Sequence, residues 1–407
     1  MRPLKRLLGH FLLGLERDFA TFRKLGQLRT KRPFEIVPYL SYGTPTQLYV
    51  RGRVIEDKGL TLAAANASRW RNLSDTYKRF VSDEVPGARL NVAFPGGETE
   101  LQADERGYFR GRLALPEAIP AGWCEVRYTL LEPERKAVEA ATALGFVLIP
   151  DKAAQYGVIS DIDDTVVQTD VTRWLRVLGA VLFGNAYTRL PFRGVAAFYR
   201  ALEAGTPKPA TGPEAAPHVT NPLFYVSSSP WNLYDLLLEF LALSAIPLGP
   251  LNLRAWRGGT SELLPAGHGA FKQGEIRRIL DAFPELPFIL IGDSGEEDPE
   301  IYGEIVAAYP GRILAVYIRN VSGEARSSAV ARLGEQVQQQ GSKLILADDT
   351  LAAAQHALGE GWIAEAALEE VRAQKERDTT FLDSVFSEEG ETVATVIERN
   401  VRSRSRA

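Results

Sequence analysis

Val158-Ile159-Ser160-Asp161-Ile162-Asp163-Asp164-Thr165 ends a short apolar run in a cluster of carboxylates and hydroxyls. The run itself, Tyr156 to Ile159, has the texture of a buried parallel strand, apolar on both faces. Where such a strand empties into Asp-x-Asp-x-Thr, Asp161 and Asp163 stand two residues apart and share a face for as long as the chain stays extended. That places them at the carboxyl edge, where open α/β sheets bind their ligands. The competing reading is a solvated acidic turn, and the strand ends further along the chain weigh against it.

From Pro150 onward, apolar runs alternate with helical stretches, the pattern of a parallel, Rossmann-like sheet with flanking helices. The spacing predicts strands at Tyr156 to Ile159, Leu223 to Val226, Leu251 to Arg254, Phe288 to Ile291, Ile313 to Ile318 and Lys343 to Ala347. Helices are expected to begin near Pro230, Lys272, Pro299 and Ala325, with alanine-rich helices after Thr350. Glu203 to Pro222, rich in Pro, Ala and Gly, reads as an exposed insertion loop.

Three further places join the first. The strand at Leu223 to Val226 runs into Ser227-Ser228-Ser229-Pro230, which offers hydroxyls and a helix start, both suited to phosphate. Ser229, before Pro230, reads as an N-cap, which leaves Ser227, ahead of Ser228, as the ligand at the strand tip. Lys272 opens a predicted helix from Gln273 to Leu280, where a lysine is electrostatically misplaced for the helix but well placed for an anionic substrate. An ordinary surface lysine is the alternative. Finally, Phe288 to Ile291 ends in Gly292-Asp293-Ser294-Gly295-Glu296-Glu297-Asp298-Pro299. Asp298 has the place of an N-cap, whereas Asp293 follows the strand directly and has no such structural excuse.

Upstream, residues 33–150 carry short β-type runs (Gln47 to Ile55, Arg89 to Phe94, Glu125 to Leu131) between Gly, Pro and Asp turns, the pattern of a small β-sandwich. A turn and strand are expected within Thr99 to Leu115, and a helical insertion at Trp70 to Phe80. Residues 1–32 hold nine Lys or Arg against Glu16 and Asp18, with Leu4, Leu7, Leu8, Phe11, Leu12, Leu15, Phe19 and Phe22 at helical spacing. That is a basic amphipathic helix, which lies either on an anionic membrane surface or on the body of the protein. Its longest apolar part, Leu7 to Leu15, is interrupted by His10, is too short to span a bilayer and is followed by no small-residue cleavage site. Residues 361–407 read as a helical tail that ends in a disordered, arginine-containing stretch.

A chain of 407 residues exceeds one ordinary core, so two domains (33–150 and 151–360) plus the two terminal segments are expected. The net charge of −4 and the absence of a basic stripe with interleaved aromatics argue against a nucleic-acid partner. The single cysteine, Cys124, excludes an internal disulfide framework and a cysteine zinc cluster and fits a reducing cytoplasm. His10, His218, His268 and His356 show no paired-ligand spacing. A bound metal must therefore take carboxylate oxygens, which favours a hard ion such as Mg²⁺.

Taken in order, Asp-x-Asp-x-Thr, a strand-end serine, a helix-start lysine and Gly-Asp-x-x-x-x-Asp resemble the haloacid dehalogenase superfamily of aspartate-nucleophile phosphohydrolases. The closer wording, Ser-Asp-Ile-Asp-Asp-Thr, Phe-Tyr-Val-Ser-Ser-Ser-Pro-Trp, Phe-Lys and Ile-Gly-Asp-Ser-Gly-Glu-Glu-Asp-Pro-Glu-Ile-Tyr, looks like the App1 phosphatidate phosphatase family, distantly similar to lipins. This resemblance covers about residues 150–360, with a weaker one at Arg79 to Gly87 and Asp104 to Phe109. It implies that Asp161 is the nucleophile and Asp163 the acid and then base. It also implies that Mg²⁺ is held by Asp161, Asp293 and the backbone carbonyl of Asp163, with Asp298 orienting Lys272 or a metal-bound water. Ser227 or Ser228 and Lys272 would grip the phosphate, Thr165 would steady the loop, and Asp164 is either a supporting acceptor or exposed. Val166 to Phe198 is then either a cap over the site or a packed helix. The expected activity is hydrolysis of a phosphomonoester, with phosphatidate as substrate and residues 1–32 as the membrane contact. A soluble phosphoester, or a non-catalytic phospholipid-binding module, are the alternatives.

Overall fold

The computed structural model describes residues 33–56, 84–133, 140–162, 193–206, 219–255 and 268–386. The expectations for residues 1–32, for Trp70 to Phe80, for residues 166–192 of the cap and for the last residues of the tail lie outside these ranges.

Eight strands come first: β1 (Phe34–Pro38), β2 (Ser41–Thr44), β3 (Gln47–Glu56), β4 (Arg89–Phe94), β5 (Gly97–Gln102), β6 (Tyr108–Ala114), β7 (Gly122–Glu132) and β8 (Thr142–Ile149). They run in the order β1-β3-β2-β8-β7-β4-β5, with β6 on the other side of β3, and every pairing but β2–β8 is antiparallel. Alternation drives the layering. Leu90 and Val92 of β4, Phe109 and Leu113 of β6, and Val126, Tyr128 and Leu130 of β7 all point into one core. The β4–β5 hairpin turns on Pro95-Gly96, with Phe94 opposite Gly97. Gly96 has φ +75, the left-handed value that the third position of a type II turn demands.

The second unit is a six-stranded parallel sheet: β9 (Gly157–Asp161), β10 (Leu223–Pro230), β11 (Leu251–Arg254), β12 (Phe288–Asp293), β13 (Ile313–Arg319) and β14 (Leu344–Ala347), in the order β11-β10-β9-β12-β13-β14. These strands are mainly apolar up to their carboxyl ends because both faces are covered. Val158 of β9 joins a core with helices α1 (Val195–Ala204) and α6 (Thr350–Gly359), which α7 (Glu365–Phe386) extends through Leu368 and Val371. Ile159, the next residue, joins the core on the opposite face with α3 (His268–Ala282), α4 (Asp298–Ala308) and α5 (Glu324–Gln339). A short 3-10 turn, Trp231–Leu233, leads from β10 into α2 (Tyr234–Leu243). α7 folds back onto α1 through an Arg200–Glu370 ion pair at 2.7 Å and a bond from the Gly194 amide to Asp378 Oδ2 at 2.8 Å.

Chain order and spatial order part company at β9. The chain moves outward through β10 to β11, then returns to lay β12 on the other side of β9. Such a reversal opens a crevice beyond the carboxyl ends of the two central strands. The two units meet beside it. Tyr39 stacks on Trp231 with ring centroids 4.0 Å apart and 7° between planes, and the Tyr234 hydroxyl takes the Leu40 amide at 2.5 Å.

Candidate active site

Strand register brings the sequence-selected groups to one edge. Asp161 closes β9 opposite Val226 of β10, so Ser227 lies one residue beyond it on the neighbouring strand. On the other side Ile291 pairs with Ser160, which sets Gly292 level with Asp161 and Asp293 just past it. Ser160 holds the tip of β9 from behind, its hydroxyl 2.6 Å from that of Tyr199 on α1.

Lys272 comes in from α3. Among the described residues that helix already runs from His268, four residues ahead of the lysine expected to open it. Lys272 therefore stands inside the helix, and a helical side chain leaning toward the N-terminus carries its ammonium back to the sheet edge. There Nζ sits 2.8 Å from Asp161 Oδ1, 2.7 Å from Glu296 Oε2 and 3.0 Å from Asp298 Oδ1. Lys272 is 2 % exposed and Asp298 fully buried, so these two, with Asp161, are withdrawn from water, while Glu296 reaches them from a partly exposed position.

Asp298 is not the helix cap its place before proline suggested. It is the first residue of α4, and Glu297 precedes the helix without a side-chain capping bond. Asp298 instead turns inward, accepting from Lys272 through Oδ1 and from the Asp293 amide through Oδ2 at 3.3 Å. Burial, only partly offset by Lys272 and reinforced by the charges of Asp293 and Glu296, pushes its pKa up to about 6. The fit is tight: a Cβ on Gly292 would lie 2.4 Å from Asp298 Oδ2. Ser229 is likewise no cap. It lies within β10, and the turn after Pro230 has no side-chain capping bond. Its amide donates to the hydroxyl of fully buried Ser227 at 2.9 Å, which closes the strand tip into a tight loop.

The structure thus gathers Asp161, Lys272 and Asp298 into direct contact, with Asp293 joined through its backbone and Ser227 and Ser228 at the end of the adjacent strand. Asp163, Asp164 and Thr165 lie outside the described residues. Glu296 is a member the sequence reading passed over. It belongs to the acidic run that had been singled out, but nothing in that run distinguishes inward-turned Glu296 from exposed Glu297. Arg326 of α5 was also missed. Its guanidinium donates to the carbonyls of Ser294 at 3.0 Å and Glu296 at 2.7 Å, and pairs with Glu300, bracing the loop that carries Glu296.

Carboxyl oxygens of Asp161, Glu296 and Asp298 lie within 4.8 Å of one another, close enough to hold a metal ion among the described residues. Asp293 is buried beside them, and its charge bears on Asp298. Uncompensated buried negative charge is costly, so a hard divalent cation fits both the oxygen donors and the charge.

This segment matches the family described as phosphatidate phosphatase APP1, catalytic domain, over residues 156–320. Residues 156–320 are thus similar to that catalytic-domain family. The chain is 33 % identical over 163 residues to phosphatidate phosphatase APP1 of Saccharomyces cerevisiae, a match covering 40 % of this chain and 25 % of the relative. It is 31 % identical over 169 residues to an uncharacterized protein of Schizosaccharomyces pombe, covering 41 % of this chain and 25 % of that one. The chain therefore spans about a quarter of the length of the curated relatives it matches. Among solved structures, a carbohydrate acetylesterase from Xanthomonas citri aligns over 79 % of this chain and 76 % of its own, with 14 % identity and a TM-score of 0.28. At that score the likeness decides neither fold nor activity. No helix among the described residues is long and apolar enough to cross a membrane.

Proposed function

We propose that the App1-like domain is a Mg²⁺-dependent phosphomonoesterase whose substrate is phosphatidate, released as diacylglycerol and phosphate. The observation that carries this reading is the buried Lys272 ammonium held by Asp161, Glu296 and Asp298 at the crevice edge of the parallel sheet. The order of strands around β9 supports assigning that sheet to the haloacid dehalogenase, Rossmann-like class, with the preceding strands (within residues 33–150) as a β-sandwich domain.

In this reading Asp161 Oδ attacks phosphorus, a P–O bond forms, and the P–O bond to the glycerol oxygen breaks. Asp163 gives its proton to the departing alkoxide, then takes one from the water that cleaves the aspartyl-phosphate, which restores Asp161. A phosphate dianion repels an attacking carboxylate, so positive charge must meet its oxygens. Lys272 supplies one such charge, fixed in place by Glu296 and Asp298. Ser227 or Ser228 donates to a further oxygen from the β10 tip. Mg²⁺, held by Asp161, Asp293 and Asp298 with the backbone of Asp163, would neutralise the remaining oxygens and hold attacking and leaving groups in line. The reading keeps the protein cytoplasmic, with residues 1–32 touching the membrane surface.

The test is phosphate release from phosphatidate in mixed micelles, beside a panel of soluble phosphomonoesters, with Mg²⁺ and with EDTA, for wild type and Asp161→Asn. Metal-dependent release from phosphatidate that disappears in Asp161→Asn is the expected result. Release from soluble esters alone removes the lipid assignment. Full activity of a contaminant-free Asp161→Asn preparation removes the nucleophile, and silence on every ester with phospholipid binding intact replaces the enzyme with a binding module.

A further inference from the structure

A second charged cleft, of about 480 Å³, lies between the two units. Its outer wall is the β3–β6 ribbon. Tyr49 stands opposite Arg112 and Arg51 opposite Arg110, with Val50 opposite Gly111 between them. Opposed residues of an antiparallel pair share a face and successive ones alternate, so the ribbon presents a square of one tyrosine and three arginines. Val50 points the other way, into the β core. The pattern is visible in the contacts as well, since the Arg112 guanidinium lies 5.3 Å from the Tyr49 ring centre.

The inner wall is α3, which contributes Glu275 and Arg278. Among the described residues, four guanidiniums thus line the cleft with a single carboxylate. Glu275 is already engaged, 3.6 Å from Arg51 and bonded to Arg278. Arg51 is fixed further by Asn252 of β11. Positive charge remains in excess at Arg110 and Arg112, both exposed on β6. Arg278 lies six residues past Lys272 on α3, roughly 9 Å further along the helix, so this cleft is separate from the carboxylate cluster.

We propose that this cleft binds a multiply charged, phosphate-bearing anion. A single carboxylate would occupy one guanidinium fork, whereas a phosphate offers several oxygens to forks approaching from two walls. The volume is that of a small-molecule site, but the lining is charged and so selects a polar group rather than an acyl chain. Two sources present the same chemistry: a phospholipid head group and a soluble phosphate compound.

The test titrates the full chain with inorganic pyrophosphate in EDTA, by calorimetry, with no turnover involved. Arg110→Gln/Arg112→Gln, on exposed strand positions, and Arg278→Gln, on the opposite wall, are expected to lose about tenfold or more in affinity, with thermal unfolding unchanged. Arg110→Lys/Arg112→Lys should keep part of it. Unchanged binding in the glutamine variants overturns the proposal, and so does a loss confined to the β6 pair. Sedimentation with phosphatidylcholine vesicles, with and without phosphatidate, then identifies the source. Loss in the same variants assigns the head group, and unchanged sedimentation beside lost pyrophosphate binding assigns the soluble anion.

Discussion

The Lys272 ammonium lies 3.0 Å from Asp298 Oδ1, and neither residue has appreciable contact with solvent. Removing one member of a buried ion cluster leaves the others uncompensated, which typically costs about 3–5 kcal/mol. Lys272→Gln is therefore expected to lose stability on that scale in urea denaturation, as well as phosphatase activity. A variant as stable as wild type would mean that the cluster opens to water more readily than its burial implies.

Gly292 supplies the space into which Asp298 turns. Gly292→Ala forces Asp298 away from Lys272, because the new Cβ would come within 2.4 Å of its Oδ2 and 2.9 Å of its Cβ. Overpacking of this kind costs about 1–3 kcal/mol. Denaturation midpoints and phosphate release, measured together, should both fall. Normal activity would show that the lysine is positioned by Asp161 and Glu296 alone.

Arg326 touches neither Lys272 nor the carboxylates it pairs with, only the backbone of their loop and Glu300. Loss of such a supporting contact commonly lowers activity about tenfold to a hundredfold. Arg326→Gln should show that fall in kcat. Arg326→Lys, which keeps the charge but not the planar fork, should recover little of it. Full rescue by lysine would reduce the role to charge.

His356 gives the fold a pH dependence. Its Nδ1 lies 3.0 Å from the Tyr317 hydroxyl, and burial lowers its pKa below the usual 6.5. Nearby Lys343 acts in the same direction, while Glu360, 3.9 Å from Nε2, opposes it. The unfolded chain then binds the proton more readily than the folded one, so this contribution is full above about pH 6.5 and is lost as pH falls. The difference in unfolding free energy between wild type and His356→Gln should shrink on acidification through that range. A difference that stays constant would contradict the shift.

Much of this was legible in the sequence because strands buried on both faces announce themselves as apolar runs, and polar residues at their ends stand out. Asp161, Ser227 and Asp293 were found that way. Ser229 was read as a cap because capping is a local rule, and Asp298 has the place of one, although the family resemblance also set it to orient Lys272. Their actual partners, the Ser227 hydroxyl for the first and Lys272 for the second, depend on how the chain folds around them. Glu296 and Arg326 were missed for the same reason, since no spacing within the chain links an α5 arginine to a loop after β12. The β3–β6 arginines alternate with apolar residues as any half-exposed strand does, and only α3 packed opposite them turns that alternation into a cleft.

The detour of the chain around β9 also has a kinetic consequence. Asp161, Lys272 and Asp298 belong to segments far apart in sequence, and β12 reaches β9 only after the chain has gone out to β11 and back. Closing long loops is the slow, entropically expensive part of assembly. The centre needs β12 laid against β9, so it cannot form before that long-range pairing does.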